Sequence, residues 1–319
     1  MIARTLKRLL PWRPARVAVL VLTCLTLVGA GADVIASDQP VLLRYRGTLY
    51  LLPTWTAPSL FAGRNAEQIA DELGGDDWAA WPLVRAGPRT ETGQPPFSGA
   101  SRAHPLGIDA FGRDVLAGLV HGTRSSLALS FVVSAGAMVF GALVGGSAAI
   151  AGGMWDALAE RFVEVVSVFP TVVVMALVQA LERRASLRSL LLVVLTVKTA
   201  EVVRLVRALV VRCLAEDWAL AARAHGTSPW RLLRVQIAPH IVGQVAVAGA
   251  LAGASVVLTE TSLAFLELGA PRSVASWGDM LAQIRWGAGA HVLAPAIALL
   301  GLTVGALYLL AEGARRRLT

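Results

Sequence analysis

The reactive side chains in this sequence of 319 residues do not form a catalytic pattern. A GxxxxGK(S/T) loop would cradle the phosphates of a nucleotide, but neither of the two lysines, Lys7 and Lys198, follows a glycine. HExxH, GxSxG and CxxC motifs are absent, and the five histidines are scattered without the spacing of metal ligands. We therefore expect no catalytic residues, no metal site and no cofactor in this chain.

Several charged residues instead interrupt long apolar stretches. Lys198, Glu201 and Arg204 follow one another at intervals of three residues within one such stretch. Ionisable residues in an apolar segment mark a functional site by default. These three side chains could form salt bridges along one helix face or line a wet pathway, and the sequence leaves both alternatives open.

The composition indicates that membrane helices position these residues. Apolar residues make up 55% of the chain, charged residues 16%, and the mean hydropathy is +0.63, whereas soluble proteins carry about a quarter charged residues. The net charge of +8 could suggest a nucleic-acid partner, but many arginines flank apolar runs, as in cytoplasmic loops. Cys24 and Cys213 form no disulfide framework. We expect a polytopic protein in contact with membrane lipid and not with nucleic acid.

Six stretches approach the length of about 20 apolar residues that a membrane helix needs. The first, residues 17–36, follows a basic segment and could be a signal peptide. We prefer an uncleaved helix, because no clear cleavage site precedes a soluble domain and further apolar runs follow. The other five lie within Ser125–Trp155, Phe162–Leu181, Leu187–Val211, Val235–Leu266 and Trp286–Ala311.

Positive charge orients these helices. With the N-terminus inside, the inner segments hold 15 Lys and Arg and the short outer loops hold 5, which favours two cytoplasmic termini. The cluster of Glu182, Arg183 and Arg184 runs against this rule. The predicted organisation is a basic cytoplasmic N-terminus at 1–16, helix 1 at 17–36, a periplasmic segment at 37–123, a core at 124–313 with helices 2–6 and a cytoplasmic loop at 213–240, and a cytoplasmic tail at 314–319.

The outer segment shows its own local structure. Val41–Arg46 and Thr48–Leu52 flank Gly47 and predict a short hairpin. Asn65 is placed to cap a short helix over 66–73. Three tryptophans could lie at the bilayer interface or in a small local core: Trp55, Trp78 and Trp81.

The stretch HPLGIDAFGRDVL at 104–116 is the first specific motif, and HGTRSSL follows at 121–127. By itself it predicts a polar turn before an amphipathic segment, with carboxylates that are more often caps than acid–base groups. Together the two stretches resemble the HPLGTDxxGRDVLSRLxxGxRxSL signature of inner-membrane permeases of peptide-type ABC importers. The matching residues include His104, Pro105, Gly107, Asp109, Gly112, Arg113 and Asp114.

The loop between the fourth and fifth helices carries the second motif. Asp217–Ala224 predicts a helix with small residues on one face, Ala219, Ala221 and Ala222. Gly226 ends it, Ser228 and Pro229 are suited to begin a second helix, and that helix continues to Pro239. The pair could lie on the membrane surface as interfacial helices, or it could dock a partner.

Spacing favours docking, because Ala221, Ala222, Gly226 and Pro239 resemble the EAA loop of ABC importers. In that family the loop seats in a cleft of the ATPase subunit and transmits its motion. Leu220 stands where the motif has glutamate, and Ala238 where leucine is common. Coupling could therefore use other contacts, such as Arg223 or Arg231 against an acidic groove, or it could be weak.

A third motif follows the fifth apolar run. ETSLAFLELG at 260–269 and SWGDML at 276–281 are similar to the EASLSFLGLG and SWGxML of the same family. Glu260 could line a pathway or pair with Arg272 or Arg285, and we favour the ion pair.

The resemblance covers residues 103–316 and implies the all-α type-1 ABC importer permease fold, with six membrane helices and an extended periplasmic segment. It places the chain in the dipeptide, oligopeptide and nickel permease C family, and the 38–50 stretch and the outer segment look like the microcin C–type branch. It implies a second permease subunit as a heterodimer partner, two ABC ATPases that supply the energy, a periplasmic solute-binding protein and an inner-membrane location.

Two other functions stay open at this stage. A secondary transporter would use Lys198, Glu201 and Glu260 as a proton relay and would need no ATPase. An assembly or regulatory subunit that has lost transport would tolerate the missing glutamate at Leu220.

Overall fold

The structure, a computed structural model, describes residues 12–57, 59–61, 64–182, 186–271 and 273–317. Arg183, Arg184, Arg272 and most of the basic N-terminal segment therefore lie outside the described residues.

After the first helix, the predicted outer segment contains short helices and strands, whereas the described chain from Val115 onward is mainly helical. The first part contains α1 Arg13–Ala30, α2 Ala32–Ile35, β1 Leu42–Tyr45, β2 Thr48–Leu51, α3 Pro53–Thr56, α4 Ala66–Glu72 and β3 Trp78–Ala80. The remainder contains α5 Val115–Ala151, α6 Gly153–Val168, α7 Thr171–Glu182, α8 Leu187–Leu214, α9 Asp217–Ala224, α10 Pro229–Leu232, α11 Ala238–Phe265, α12 Trp277–Ala282 and α13 Ala290–Arg315. A π-helical turn, Leu233–Ile237, joins α10 to α11, and a 3₁₀ turn, Gln283–Trp286, follows α12.

Four helical stretches in the described part of the chain are long and apolar enough to cross a membrane: α1, α5, the run Pro229–Phe265 and α13. A fifth span would be the pair α6 and α7, which meets at a bend of 84°. The bend has a local cause, since Pro170 cannot continue a helical hydrogen-bond ladder and Phe169 before it is extended. The predicted fourth span corresponds to the 28-residue α8. This helix is long enough to cross a membrane, but it carries too many charged residues to be counted with the four apolar stretches. The predicted count of six remains a proposal.

The helix ends differ from the ends of the predicted apolar stretches. α5 begins at Val115, ten residues before the Ser125–Trp155 stretch that was predicted to hold the second helix. Gly152, whose φ is +63°, interrupts the helix after this stretch, and α6 begins at the next residue. Pro239 does not end a helix but lies in the first turn of α11, where its missing N–H costs little.

The outer segment forms a three-stranded antiparallel sheet in the order β2-β1-β3. The predicted hairpin is present, and Arg46 and Gly47 both have positive φ, as a two-residue type I′ turn requires. The predicted helix is also present: Asn65 and Gln68 form a capping box at the start of α4. β3 was not predicted. Trp81 packs on the core of Leu43, Phe61 and Ile69, whereas Trp55 and Trp78 are exposed.

The described chain divides into two compact units. Unit 1 comprises the described residues of Met1–Leu22, Leu129–Thr259 and Thr303–Thr319. Unit 2 comprises those of Thr23–Ala128 and Glu260–Leu302.

Unit 1 is built on a close approach of α5 to α8. A Cβ at Gly145 would lie 2.5 Å from the carbonyl oxygen of Val203, and one at Gly141 would lie 2.5 Å from a methyl carbon of Val202. Such small residues let helix backbones pack tightly within a membrane. The adjoining buried cluster reaches from these helices into the 213–240 loop and contains Ala137, Val202, Val206, Val210, Cys213, Ala219, Leu232, Ile237 and Ile241.

Candidate functional site

Unit 2 holds the first motif as a closed turn over residues 104–114, here called the signature turn. One oxygen of Asp109 accepts hydrogen bonds from the backbone N–H groups of Phe111 and Arg113, at 2.8 and 2.9 Å. Asp114 caps α5 by accepting from the N–H of Ala117 at 2.7 Å, and its other oxygen lies 2.8 Å from Nδ1 of His104. Both carboxylates thus have structural partners, as expected of caps.

The glycines of the signature turn are needed for its backbone. Gly107 and Gly112 have φ of +79° and +72°, which other residues rarely adopt. A Cβ at Gly107 would also lie 2.5 Å from the carbonyl oxygen of Ser98. These positions therefore serve the fold of the turn.

The signature turn is joined to the third motif by hydrogen bonds. Nε2 of Gln283 donates to Asp109 at 3.1 Å, and its Oε1 accepts from the N–H of Ala110 at 3.1 Å. Trp277 is fully buried, and a Cβ at Gly122 would lie 3.2 Å from its ring. The first and third motifs thus form one packed element of unit 2.

A salt bridge also stabilises the packed element that the first and third motifs form. Arg89 forms a salt bridge with Asp279 at 2.9 Å. Arg113 lies nearby, and burial, together with the positive charge of Arg89, lowers the pKa of its guanidinium, against the opposing effect of Asp109 and Asp279. Sequence reasoning missed Arg89 and Gln283, because their partners lie far away along the chain.

Unit 1 holds the second motif as a helix–turn–helix in the 213–240 loop. α9 ends as predicted at Gly226, whose φ is +80° and whose missing Cβ would meet no atom within 4 Å. The N–H of Thr227 bonds back to the carbonyl of Ala222 at 3.1 Å. Ser228 and Pro229 begin α10 as predicted, although no hydrogen bond from the Ser228 side chain caps it.

The loop has one buried face and one exposed face. Ala219 is fully buried in the cluster of unit 1, so its assignment to a small docking face is wrong. Ala221 and Arg223 are exposed, Leu220 retains 50% of its surface, and Trp230 retains 49%. The exposed face therefore combines apolar and cationic side chains, which suits a partner surface.

Four charged residues of α8 have polar partners within unit 1. Nζ of Lys198 donates to both oxygens of Glu201 at 2.8 and 3.0 Å, and Arg204 donates to Oγ of Ser167 on α6 at 2.9 Å. Nε and Nη2 of Arg207 donate bidentate hydrogen bonds to the two carboxylate oxygens of Asp156, at 2.6 and 2.7 Å. This last pair was not predicted, because Asp156 lies between two predicted apolar stretches and its partner is 51 residues away along the chain.

Glu260 is buried in unit 2 and does not form the ion pair predicted with Arg285. Neither carboxylate oxygen has a hydrogen-bond partner among the described residues, and Arg285 pairs with Glu267 at 3.2 Å. A Cβ at Gly278 would lie 3.2 Å from one of the Glu260 oxygens, so glycine makes room for the carboxyl. Within the described ranges no three His, Cys, Asp or Glu side chains are grouped to hold a metal ion.

Several long apolar helices, interrupted by an exposed loop, are typical of a multi-pass membrane protein. Residues 125–318 match the family described as "Binding-protein-dependent transport system inner membrane component". The chain belongs to this family, whose members are permease components and not enzymes.

The relatives are permeases of peptide ABC importers, which confirms the resemblance. The chain is 31% identical to the dipeptide transport system permease DppC of Alkalihalophilus pseudofirmus, over 59% of this chain and 62% of that protein, which is less than two thirds of its length. It is 31% identical to the inner membrane ABC transporter permease YejE of Escherichia coli, over 79% of this chain and 77% of that one. A solved chain of the MetNI methionine ABC transporter has the same fold, with a TM-score of 0.52 and 18% identity, over 63% of this chain and 96% of that one.

Proposed function

We propose that this chain is a membrane-spanning subunit of an importer that carries peptides or peptide-like solutes across the inner membrane, driven by ATP hydrolysis in separate subunits. The observation that carries the proposal is the 213–240 loop, because its inner face is fixed in unit 1 and its outer face is free in the described structure. That arrangement suits an element that transmits force between a partner and a helix bundle.

Two ATPases would bind, one to this loop and one to the equivalent loop of a second permease. Closure of the ATPase dimer on ATP would move the loops together and switch the bundle between inward- and outward-facing states, which are discrete packed alternatives. The π-helical turn Leu233–Ile237 supports this role, since it connects the loop to α11 and such turns often lie at functional sites.

The organisation of the assembly is part of the proposal. Six membrane crossings would result if α6 and α7 form one broken span and α8 forms another, with both termini cytoplasmic. Residues 37–123 would then face the periplasm, where a solute-binding protein delivers the substrate. Glu260 would belong to the pathway side of the bundle.

The relatives' names support a peptide-like solute. They include permeases for dipeptides, D,D-dipeptides and glutathione, which share peptide bonds. The two YejE proteins match the largest shares of this chain among the relatives compared, 79% and 83%. The microcin C–type branch stays part of the proposal on the resemblance of the 38–50 stretch and the outer segment alone.

A subunit that assembles without transporting is the alternative, because Leu220 replaces the glutamate of the EAA motif. Affinity purification of the tagged chain from membranes in mild detergent, followed by mass spectrometry, tests both ideas when combined with uptake of a labelled peptide. Recovery of an ABC ATPase and a second permease, with uptake that needs this chain, would support the importer. Recovery of the chain alone with uptake intact would contradict it.

A further inference from the structure

An apolar groove of about 350 Å³ runs along unit 1 beside the 213–240 loop. It lies among the loop-side ends of α5, α8 and α11, and the π-helical turn forms part of its wall. Its lining is almost wholly hydrocarbon, with Trp230 and Arg234 as the larger side chains at the loop end. The groove shares Trp230 with the exposed face of the loop, whereas the α9 residues Leu220, Ala221 and Arg223 lie outside it.

Arg234 has no counter-charge in the described structure. No salt bridge or hydrogen bond of its guanidinium to a described residue is present, and the side chain is exposed. The two arginines deeper on α8 differ, because Arg204 donates to Ser167 and Arg207 pairs with Asp156. The groove therefore has an apolar floor and, among the described residues that line it, a single free cation on its rim.

That combination complements a phospholipid with an anionic headgroup. Such a lipid has an acyl chain that gains from burial against hydrocarbon and a phosphate that binds guanidinium groups strongly. Basic pockets between membrane helices on the cytoplasmic side are typical sites for these headgroups. A half-exposed tryptophan such as Trp230 is also typical of the depth at which headgroups lie.

We propose that this groove binds an anionic phospholipid, with an acyl chain along α5 and α11 and its phosphate on Arg234. The cytoplasmic placement rests on the proposed function. A lipid at this position would contact both the loop and the π-helical turn, so the membrane composition would modulate the coupling of the loop to α11.

The test uses the tagged chain purified with its co-purifying subunits. The complex is exchanged into nanodiscs of equal dioleoylphosphatidylglycerol and dioleoylphosphatidylcholine, re-extracted in mild detergent and assayed for retained lipid by mass spectrometry. Arg234→Gln removes the cation, and Arg234→Lys is the conservative variant. Gly146→Leu fills the groove, where an added Cβ would meet only Leu233 and Val206 at ordinary contact distances of 3.7 to 3.9 Å. Arg212→Gln is the matched control, since this arginine at the loop-side end of α8 is exposed and lies outside the groove.

We expect wild-type protein, Arg234→Lys and Arg212→Gln to retain phosphatidylglycerol in excess over phosphatidylcholine. Arg234→Gln should retain about fivefold less, the effect of one cation near an anionic surface, and Gly146→Leu should retain neither lipid above the detergent background. Equal retention by wild type and both groove variants would overturn the proposal. The proposal would also be overturned if the wild type retained no lipid. That result is expected if a second permease covers the groove. ATPase recovered in the same sample reports separately on the proposed function.

Discussion

The signature turn and the 213–240 loop both match motifs of the family, but they differ in whether their polar and charged groups have partners within the chain. In the signature turn, Asp109 and Asp114 have their carboxylate oxygens on backbone N–H groups, on His104 or on Gln283. In the loop, Arg223 has no partner among the described residues and Leu220 is half exposed. A motif whose polar groups are satisfied internally supports the fold, whereas one with free groups is available to a partner.

The largest expected effect follows from blocking the exposed face. Gly226→Trp would place an indole in open space at the tip of the turn, where the proposed ATPase cleft must approach. We expect retention of the ATPase by the purified chain to fall roughly thirtyfold, the effect of about 2 kcal/mol at an interface centre. Uptake of labelled peptide should be lost with it.

Gly75→Trp is the matched control for this variant. Gly75 also has positive φ, +66°, and open surroundings, but it lies in the outer segment. It therefore carries the same backbone strain without touching the loop. Normal uptake in Gly226→Trp, or equal loss in both variants, would contradict the docking role of the turn.

Disrupting the signature turn should lower the stability of the protein and leave ATPase binding unchanged. Asp114→Ala removes the cap of α5 and the partner of His104, which we expect to cost about 1–2 kcal/mol of folding free energy. The purified complex should melt a few degrees lower, while the fraction that remains folded retains its ATPase. Thermal unfolding in detergent measures the first effect and quantitative mass spectrometry the second.

Asp71→Ala provides the comparison for Asp114→Ala, because Asp71 is exposed on α4 and makes no salt bridge or hydrogen bond to the described residues. It should leave the melting temperature unchanged. A stable Asp114→Ala complex that has lost its ATPase would show that the signature turn also belongs to the coupling machinery.

A smaller effect is expected from the free cations of the loop. The double variant Arg223→Gln with Arg231→Gln removes two exposed charges, so ATPase retention should fall about threefold at low salt, as for exposed ion pairs. The difference from wild type should shrink as the salt concentration rises. Arg102→Gln, an exposed arginine of the outer segment, should change nothing. A salt-independent loss would argue against an acidic groove on the partner.

The sequence predicted local features well, but it did not predict contacts between residues that are far apart along the chain. The hairpin around Gly47, the capping box at Asn65 and the end of α9 at Gly226 depend on residues a few positions apart. The link from Gln283 to Asp109 spans 174 residues and that from Arg207 to Asp156 spans 51. Such partners are set by how helices pack, and no local spacing encodes them.

Boundaries failed for a related reason. The start of α5 was placed ten residues late, because the apolar run begins near Ser125 while the helix begins where Asp114 caps it. Likewise Pro170 was visible in the sequence, but a bend of 84° could not be deduced from it. Hydropathy locates the part of a helix that lies in lipid, whereas capping groups decide where the helix itself begins and ends.

Leu220→Glu should have the smallest effect and tests the departure of the loop from its family motif. The side chain is half exposed and lies in the first half of α9, where an acidic residue also favours the helix dipole. We therefore expect peptide uptake to be unchanged or slightly raised, with Leu220→Gln as the uncharged control of similar size. If Leu220→Glu abolishes uptake while Leu220→Gln does not, the partner surface opposite this position is acidic and repels the added charge. If both variants abolish uptake, the leucine itself has become part of the contact: the loop then binds its ATPase through apolar burial beside Arg223, and the missing glutamate is an adaptation to that partner.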